Sequence, residues 1–266
     1  MAKIFVGCAG FDYKDWNGPF YPKSLERHLH LDYYTKFFEI VEINATFYNL
    51  PSQDAVHKWH DDVPEKFNYI IKVWQDITHK LFDENLESKL YQFFDRLAPL
   101  NGKILAYLFQ FPPWLKFTEK HYNRIKSLIN EIANAGKIIL EFRDNSWFLP
   151  EILSNLIDGR KTILGTSYLE GINPYYFPSQ NTYYIRLIGD RQLSRFNRVQ
   201  RHLDDLMIDM EQNIEKLLKD PNVFEIFIII NNHFSGFAPE TANNIKEKLG
   251  LPLKAFSKQK SLTDFF

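Results

Sequence analysis

The chain carries a single cysteine, Cys8, among 266 residues. No internal disulfide can form, and such thiol-poor chains are expected in a reducing, cytoplasmic compartment. No apolar run approaches the roughly 18 residues a membrane helix needs, so no membrane partner is expected. The opening stretch Met-Ala-Lys-Ile-Phe-Val is too short for a signal peptide. Charge of one sign is not in excess either, since 32 Lys and Arg oppose 33 Asp and Glu. That balance excludes a chain-wide basic surface, so any contact with nucleic acid has to be local. Several chemical signatures are missing. There is no Gly-x-Ser-x-Gly, no Walker-type phosphate loop and no dinucleotide glycine fingerprint. There is no His-x-x-x-His or Cys-x-x-Cys spacing, which weakens a metal site. Internal repeats and low-complexity tracts are also lacking.

Aromatic residues are abundant at 16%, which points to a bulky core or an aromatic-lined cleft. Eight short apolar runs recur: Ile4–Cys8, Ile40–Ile43, Tyr69–Val73, Ile104–Phe109, Ile138–Phe142, Thr162–Gly165, Tyr183–Leu187 and Phe224–Ile230. Several are almost continuously apolar, as strands buried on both faces of a parallel sheet are. Helical periodicity marks Leu31–Phe38, Leu86–Leu97, Lys120–Ala135, Leu149–Ile157, Leu203–Leu218 and Pro239–Leu249. Strands alternating with helices predict an α/β chain folded as a single TIM-like (β/α)8 barrel. The barrel is expected over residues 1–252, with a flexible tail over 253–266.

Chemistry in such a barrel collects at the C-terminal ends of the strands. Charged residues interrupt the predicted strands there: Glu42, Lys72, Glu141 and Arg186. Asn44 and Arg143 lie two residues beyond the two glutamates, on the same side by strand alternation. His79 follows the third run, and Asn231 and Asn232 close the eighth. A charge facing a barrel interior is costly unless paired or in use. One reading is a structural ion network that closes the barrel top. The other is a functional cleft. In it Glu42 and Glu141 would be a general acid–base pair tuned by Lys72 or Arg186. Alternatively the glutamates would join His79 or His233 around a divalent metal, a weaker reading for want of ligand spacing. Lys72 and Arg186 with the amides would also suit phosphate or carboxylate. Cys8 is a poor candidate nucleophile.

These residues carry a family resemblance. Gly7-Cys-Ala-Gly-Phe-Asp-Tyr-Lys-Asp-Trp16, Gly18-Pro-Phe-Tyr-Pro22 and Val41-Glu-Ile-Asn-Ala-Thr-Phe-Tyr48 resemble the "domain of unknown function 72", or YecE-like, family. So do Ile77-Thr-His79, Leu108-Phe-Gln-Phe-Pro-Pro113, Leu140-Glu-Phe-Arg143 with Ser146-Trp147, Tyr184-Ile-Arg-Leu187 and Asn231-Asn232. The resemblance spans residues 4 to 250 and implies a TIM-like barrel. It supplies no reaction. The barrel is broadly similar to the xylose-isomerase and endonuclease IV type, which raises a hydrolase- or nuclease-like activity by analogy alone. Where the family often shows Arg-Leu-His-Gly, this chain has Arg186-Leu-Ile188-Gly189, so any catalytic or metal-binding task of that histidine in the family has no counterpart here.

Two further stretches name partners. The terminal sequence Gln259-Lys-Ser-Leu262-Thr-Asp-Phe265-Phe266 resembles the PIP box, a peptide that docks on the sliding clamp PCNA. One helical turn would place Leu262, Phe265 and Phe266 on one face for a hydrophobic pocket, with Gln259 filling a polar one. The alternative is that these aromatics fold back into the core. After the seventh run, Arg191, Arg195, Arg198 and Arg201 recur at spacings of four, three and three. That predicts one basic helical face able to bind DNA phosphates, or a solvated face paired with Asp190, Asp204 and Asp205. The leading expectation is a PCNA-binding barrel of DNA replication or repair that processes nucleic acid. Its alternatives are a non-catalytic clamp adaptor and a metabolic enzyme acting on a small anionic or sugar substrate.

Overall fold

The structure is a computed structural model, and it describes residues 2–256. Gln259, Leu262, Phe265 and Phe266 lie outside the described residues. Eight strands form one closed parallel barrel in sequence order. They are β1 Lys3–Ala9, β2 Ile40–Ile43, β3 Asn68–Lys72, β4 Ile104–Gln110, β5 Ile138–Glu141, β6 Thr162–Leu169, β7 Thr182–Gly189 and β8 Glu225–Ile230. Ten α-helices are present among the described residues: α1 His30–Thr35, α2 Ala45–Tyr48, α3 Gln53–Asp61, α4 Gln75–Thr78, α5 Leu86–Leu97, α6 Glu119–Glu131, α7 Pro150–Leu153, α8 Asp204–Lys219, α9 Asn232–Ser235 and α10 Ala238–Lys248. None is long and apolar enough to cross a membrane.

The expected (β/α)8 architecture is therefore present, with β2 and α5 at their predicted bounds. One crossover departs from it: residues 170–181, between β6 and β7, form a loop and no helix. Two separate apolar layers follow from strand alternation. Phe5, Ile40, Ile70, Leu108, Ile139, Ile163, Tyr184 and Phe227 fill the barrel interior. Their neighbours along each strand face the helices, in a much larger cluster with Trp16, Phe38, Phe93 and Trp147. β1 lies close to β2 because Gly7 has no Cβ, which would sit 2.1 Å from the Ile40 carbonyl oxygen.

Phe256, near the end of the described residues, packs against the barrel's outer layer. The Phe256 ring lies 5.1 Å from Phe20, 5.9 Å from Phe37 and 6.2 Å from Phe237. Asn243 Nδ2 on α10 donates to the Lys254 carbonyl at 3.2 Å.

The arginine stretch after β7 corrects the sequence expectation. Residues 190–203 hold no helix, so Arg191, Arg195, Arg198 and Arg201 share no helical face. The stretch is anchored through its backbone, with Phe196 N–H donating to Asp15 Oδ2 at 2.8 Å and Gln200 N–H to the Ser235 carbonyl at 2.7 Å. Gly189 at φ 78° starts the turn, and a Cβ there would meet the His233 carbonyl oxygen at 2.4 Å. Arg191 follows at φ 62°, a left-handed conformation that no helix continues.

Candidate functional site

The inward-facing period along each strand continues past the apolar layer and ends in polar groups. Ile40 leads to Glu42 and then Asn44, Ile70 to Lys72, Leu108 to Gln110, Ile139 to Glu141 and then Arg143, and Tyr184 to Arg186. Glu42 and Glu141 are fully buried. Arg186 stands between them. Its Nη2 donates to Glu42 Oε1 at 2.5 Å and to Asn44 Oδ1 at 3.2 Å, and its Nη1 donates to Glu141 Oε2 at 3.2 Å. Arg143 also donates to Glu141 Oε1, through Nε at 2.6 Å and through Nη2. The Tyr184 hydroxyl donates to Glu42 Oε2. Six residues from three strand ends thus form one continuous network.

This network answers the question of the glutamates. Burial acts to raise the Glu141 pKa, but the charges of Arg143, Arg186 and Lys72 outweigh it and hold the carboxyl down to about 2. A carboxylate held at that value does not exchange protons near neutrality, so Glu141 fits charge balance better than general acid–base work. Both carboxylates are also occupied by guanidinium donors, which leaves neither free for a metal. No group of three His, Cys, Asp or Glu side chains that would hold a metal occurs among the described residues. The donor set does not fit a divalent ion. Cys8 is buried, and burial pushes its thiol far above the ordinary range, so it is no nucleophile.

Lys72 is the cation that the network leaves out. It is 7% exposed, and its ammonium makes no hydrogen bond or ion pair among the described residues. Its Nζ sits 3.8 Å from the centre of the Phe47 ring. Burial, then the charge of Arg186, lowers its pKa to about 7 against the opposing pull of Glu141 and Glu42. Thr46 on α2 fixes the strand end, its hydroxyl donating to the Lys72 carbonyl at 2.6 Å.

Two adjoining cavities open over these residues. One, about 660 Å³, is walled by Phe47, Tyr48, Lys72, Gln75, His79, Gln110, Arg143 and Arg191, with the 169–172 loop. The other, about 380 Å³, is walled by Tyr13, Asn44, Arg186, Phe196, Asn231, Asn232 and His233, and shares Tyr48, Lys72, Arg143 and Arg191 with the first. Four cations line the pair, and Glu170 is the one carboxylate in their walls. Two buried donors in the smaller cavity's residues, Arg186 Nε and Asn232 Nδ2, have no acceptor among the described residues. An unmet buried donor costs about 1–3 kcal/mol, so both favour an acceptor-rich ligand. A larger hollow of about 880 Å³ lies outside the barrel between α5 and α6 and contains none of these groups.

Every predicted cleft residue comes to this end, with differing tasks. His79 packs against Phe47 and Trp114, and burial followed by the Lys72 charge lowers its pKa. Asn231 caps α9, accepting from the His233 N–H at 3.0 Å. Asn232 Oδ1 accepts from Trp16 Nε1 at 3.1 Å and Ala238 N–H at 3.0 Å, tying β1's exit to α10. Of the four loop arginines only Arg191 lines the cavities. Arg201 pairs with Asp190 at 2.5 Å, and Arg195 and Arg198 are exposed away from both walls. Sequence reasoning missed Tyr184 and Tyr48 as cleft residues, whereas Gln110 carries a signal as the polar residue that ends β4.

Fold and site together define a TIM-like barrel protein with a cation-lined cleft at the C-terminal ends of its strands. The sequence model of the family described as "protein of unknown function DUF72" matches residues 5–263, and the chain belongs to that family. It is 30% identical to the UPF0759 protein YunF of Bacillus subtilis over 154 residues, 55% of this chain and 53% of that protein. It is 29% identical to the UPF0759 protein YecE of Escherichia coli K12 over 82 residues, 31% of this chain and 30% of YecE. These matches span about half or less of the curated relatives' length. Crystal structures of DUF72 family proteins share the fold. That from Thermotoga maritima has a TM-score of 0.78 at 23% identity, covering 93% of this chain and 99% of that one. That from Enterococcus faecalis has a TM-score of 0.74 at 21% identity, covering 95% and 99%.

Proposed function

We propose that this chain is a PCNA-binding barrel protein of DNA replication or repair whose cleft receives a phosphate-bearing ligand. The observation that carries the cleft reading is the imbalance in its walls. Lys72, Arg143, Arg186 and Arg191 face the cavities against Glu170 alone, and two buried donors await acceptors. Phosphate offers the most acceptor oxygens per unit of volume, and arginine forks match its geometry. The clamp reading rests on the terminal sequence Gln259, Leu262, Phe265 and Phe266, spaced as an anchor peptide. A tether to a clamp on DNA raises local concentration, so a barrel with near-zero net charge needs little DNA affinity of its own.

The full chain and its Phe265→Ala/Phe266→Ala variant should be compared for retention on immobilised PCNA, and both titrated with short 5′-phosphorylated DNA at rising salt. Loss of retention in the variant with DNA binding unchanged is the expected result. Equal retention removes the clamp from the reading. In the DNA titration, Arg191→Ala should weaken binding and lower the salt slope by about one. An unaltered slope removes Arg191 from the phosphate site. The modest volume of the inner cavity, about 380 Å³, favours a second reading, a small phosphorylated sugar handled away from DNA.

A further inference from the structure

We propose that Lys72 is a nucleophile that forms a Schiff base with the open-chain aldehyde or ketone of a phosphorylated sugar. This inference rests on the phosphate-site reading for substrate orientation, and on independent geometry for the amine.

That geometry is one of deliberate omission. The cleft contains two buried carboxylates, and both are taken by Arg143, Arg186 and Tyr184. The remaining strand-end cation, Lys72, lies within the same field yet has no ion pair. Buried lysines are rarely left unpaired when they serve stability alone. Its Nζ sits 3.8 Å from the centre of the Phe47 ring, and burial strips water from the amine where no carboxylate bonds it. Such a setting releases the proton near neutral pH, and a free lone pair is what a carbonyl-attacking lysine requires. The amine also lines both cavities, so a ligand in either reaches it.

The step balances with one proton taken from solvent water. The Lys72 lone pair attacks the carbonyl carbon, and the C=O π electrons move to oxygen, which takes up that proton. The nitrogen loses a proton and the resulting carbinolamine expels its hydroxyl. That hydroxyl leaves as water after a second protonation, and the C=N iminium keeps the positive charge. His79, which lines the larger cavity and whose pKa is lowered by burial and by Lys72, takes the amine proton and returns it to the hydroxyl. Glu42 and Glu141 favour a cation at this position, so they stabilise the iminium electrostatically. Arg143 and Arg191, common to both cavities, hold the phosphate.

Borohydride reduces an iminium to a secondary amine and fixes the adduct. The full chain should be incubated with ribose 5-phosphate or with a short duplex carrying an abasic site, reduced, and analysed by intact mass and peptide mapping. The expected result is one adduct per chain, mapped to Lys72, in at least one arm and absent from Lys72→Met and Lys72→Arg. Trapping should rise as pH passes through about 7. An adduct with the free sugar alone assigns a small-molecule substrate, and one with the duplex alone assigns DNA. No adduct at Lys72 in either arm, or equal labelling in Lys72→Met, overturns the proposal. Calorimetry with inorganic phosphate separates the two ideas. Phosphate binding without trapping rejects the Schiff base and keeps the phosphate site. Trapping of unphosphorylated glyceraldehyde without phosphate binding does the reverse.

Discussion

Replacing Glu141 by glutamine tests the buried ion network most directly. The carboxylate is fully buried and accepts from Arg143 and Arg186. Its folded pKa of about 2 lies below the ordinary 4.5. A depressed carboxyl contributes stability that is fully present above about pH 4.5 and is lost as pH falls toward 2. The difference corresponds to about 3 kcal/mol. Glutamine keeps the shape and removes the charge, which leaves Arg186 with Glu42 and the buried Arg143 without its carboxylate. Removing one partner of a buried pair costs about 3–5 kcal/mol. For a chain of this size that lowers Tm by roughly 6–20 °C. The assay is urea unfolding of wild type and Glu141→Gln, followed by circular dichroism from pH 7 down to pH 3. The gap should be at least about 3 kcal/mol at pH 7 and should close as pH drops below 4.5. A gap under about 1 kcal/mol at pH 7, or one constant to pH 3, refutes the reasoning.

Lys72→Met should act in the opposite direction. The folded amine, with a pKa near 7 against 10.5 when unfolded, penalises folding most at and below pH 7 and not at all above 10.5. The methionine variant should gain roughly 2–4 kcal/mol at pH 7 in denaturant unfolding, and its stability should no longer rise between pH 7 and 10. A destabilised variant would contradict the assignment of Lys72 as an unpaired amine. Asn232→Ala strips the acceptor from Trp16 Nε1 and Ala238 N–H, two buried donors. It should cost about 2–4 kcal/mol and alter tryptophan fluorescence, and a change below 1 kcal/mol would mean that water replaces the amide.

The barrel was legible because its strands are buried on both faces and read as short apolar runs. β2 lies at its predicted bounds for that reason, and α5 does so because Leu86, Leu90, Phe93 and Leu97 recur at helical spacing. α3 gave little signal, since Val56 is its one buried residue. Tyr184 was hidden because an aromatic inside an apolar run announces packing, and its hydroxyl bond to Glu42 depends on the closure of β7 across the barrel from β2. The arginine stretch misled for a different reason. Its spacing is helical, but Gly189 and Arg191 adopt left-handed φ and the chain is held by backbone bonds to other loops. Spacing alone carries no information about those distant partners.

The same limit applies to the cleft, where sequence identified the charges and only geometry could assign the pairs. From composition, two glutamates among cations suit an acid–base pair. Once Arg186 is seen to bridge them, and Arg143 to hold one again, the Glu141 carboxyl is held far below neutral pH. Their effect is then exerted through the field they create. They keep two buried guanidiniums charged and favour a cation at the unpaired Lys72. On the proposed reading, a cleft arranged this way offers its arginines to anions and leaves its lysine as the group whose protonation changes near pH 7. Any chemistry proposed for this barrel therefore has to run through Lys72 and its neighbour His79 before it runs through the acids.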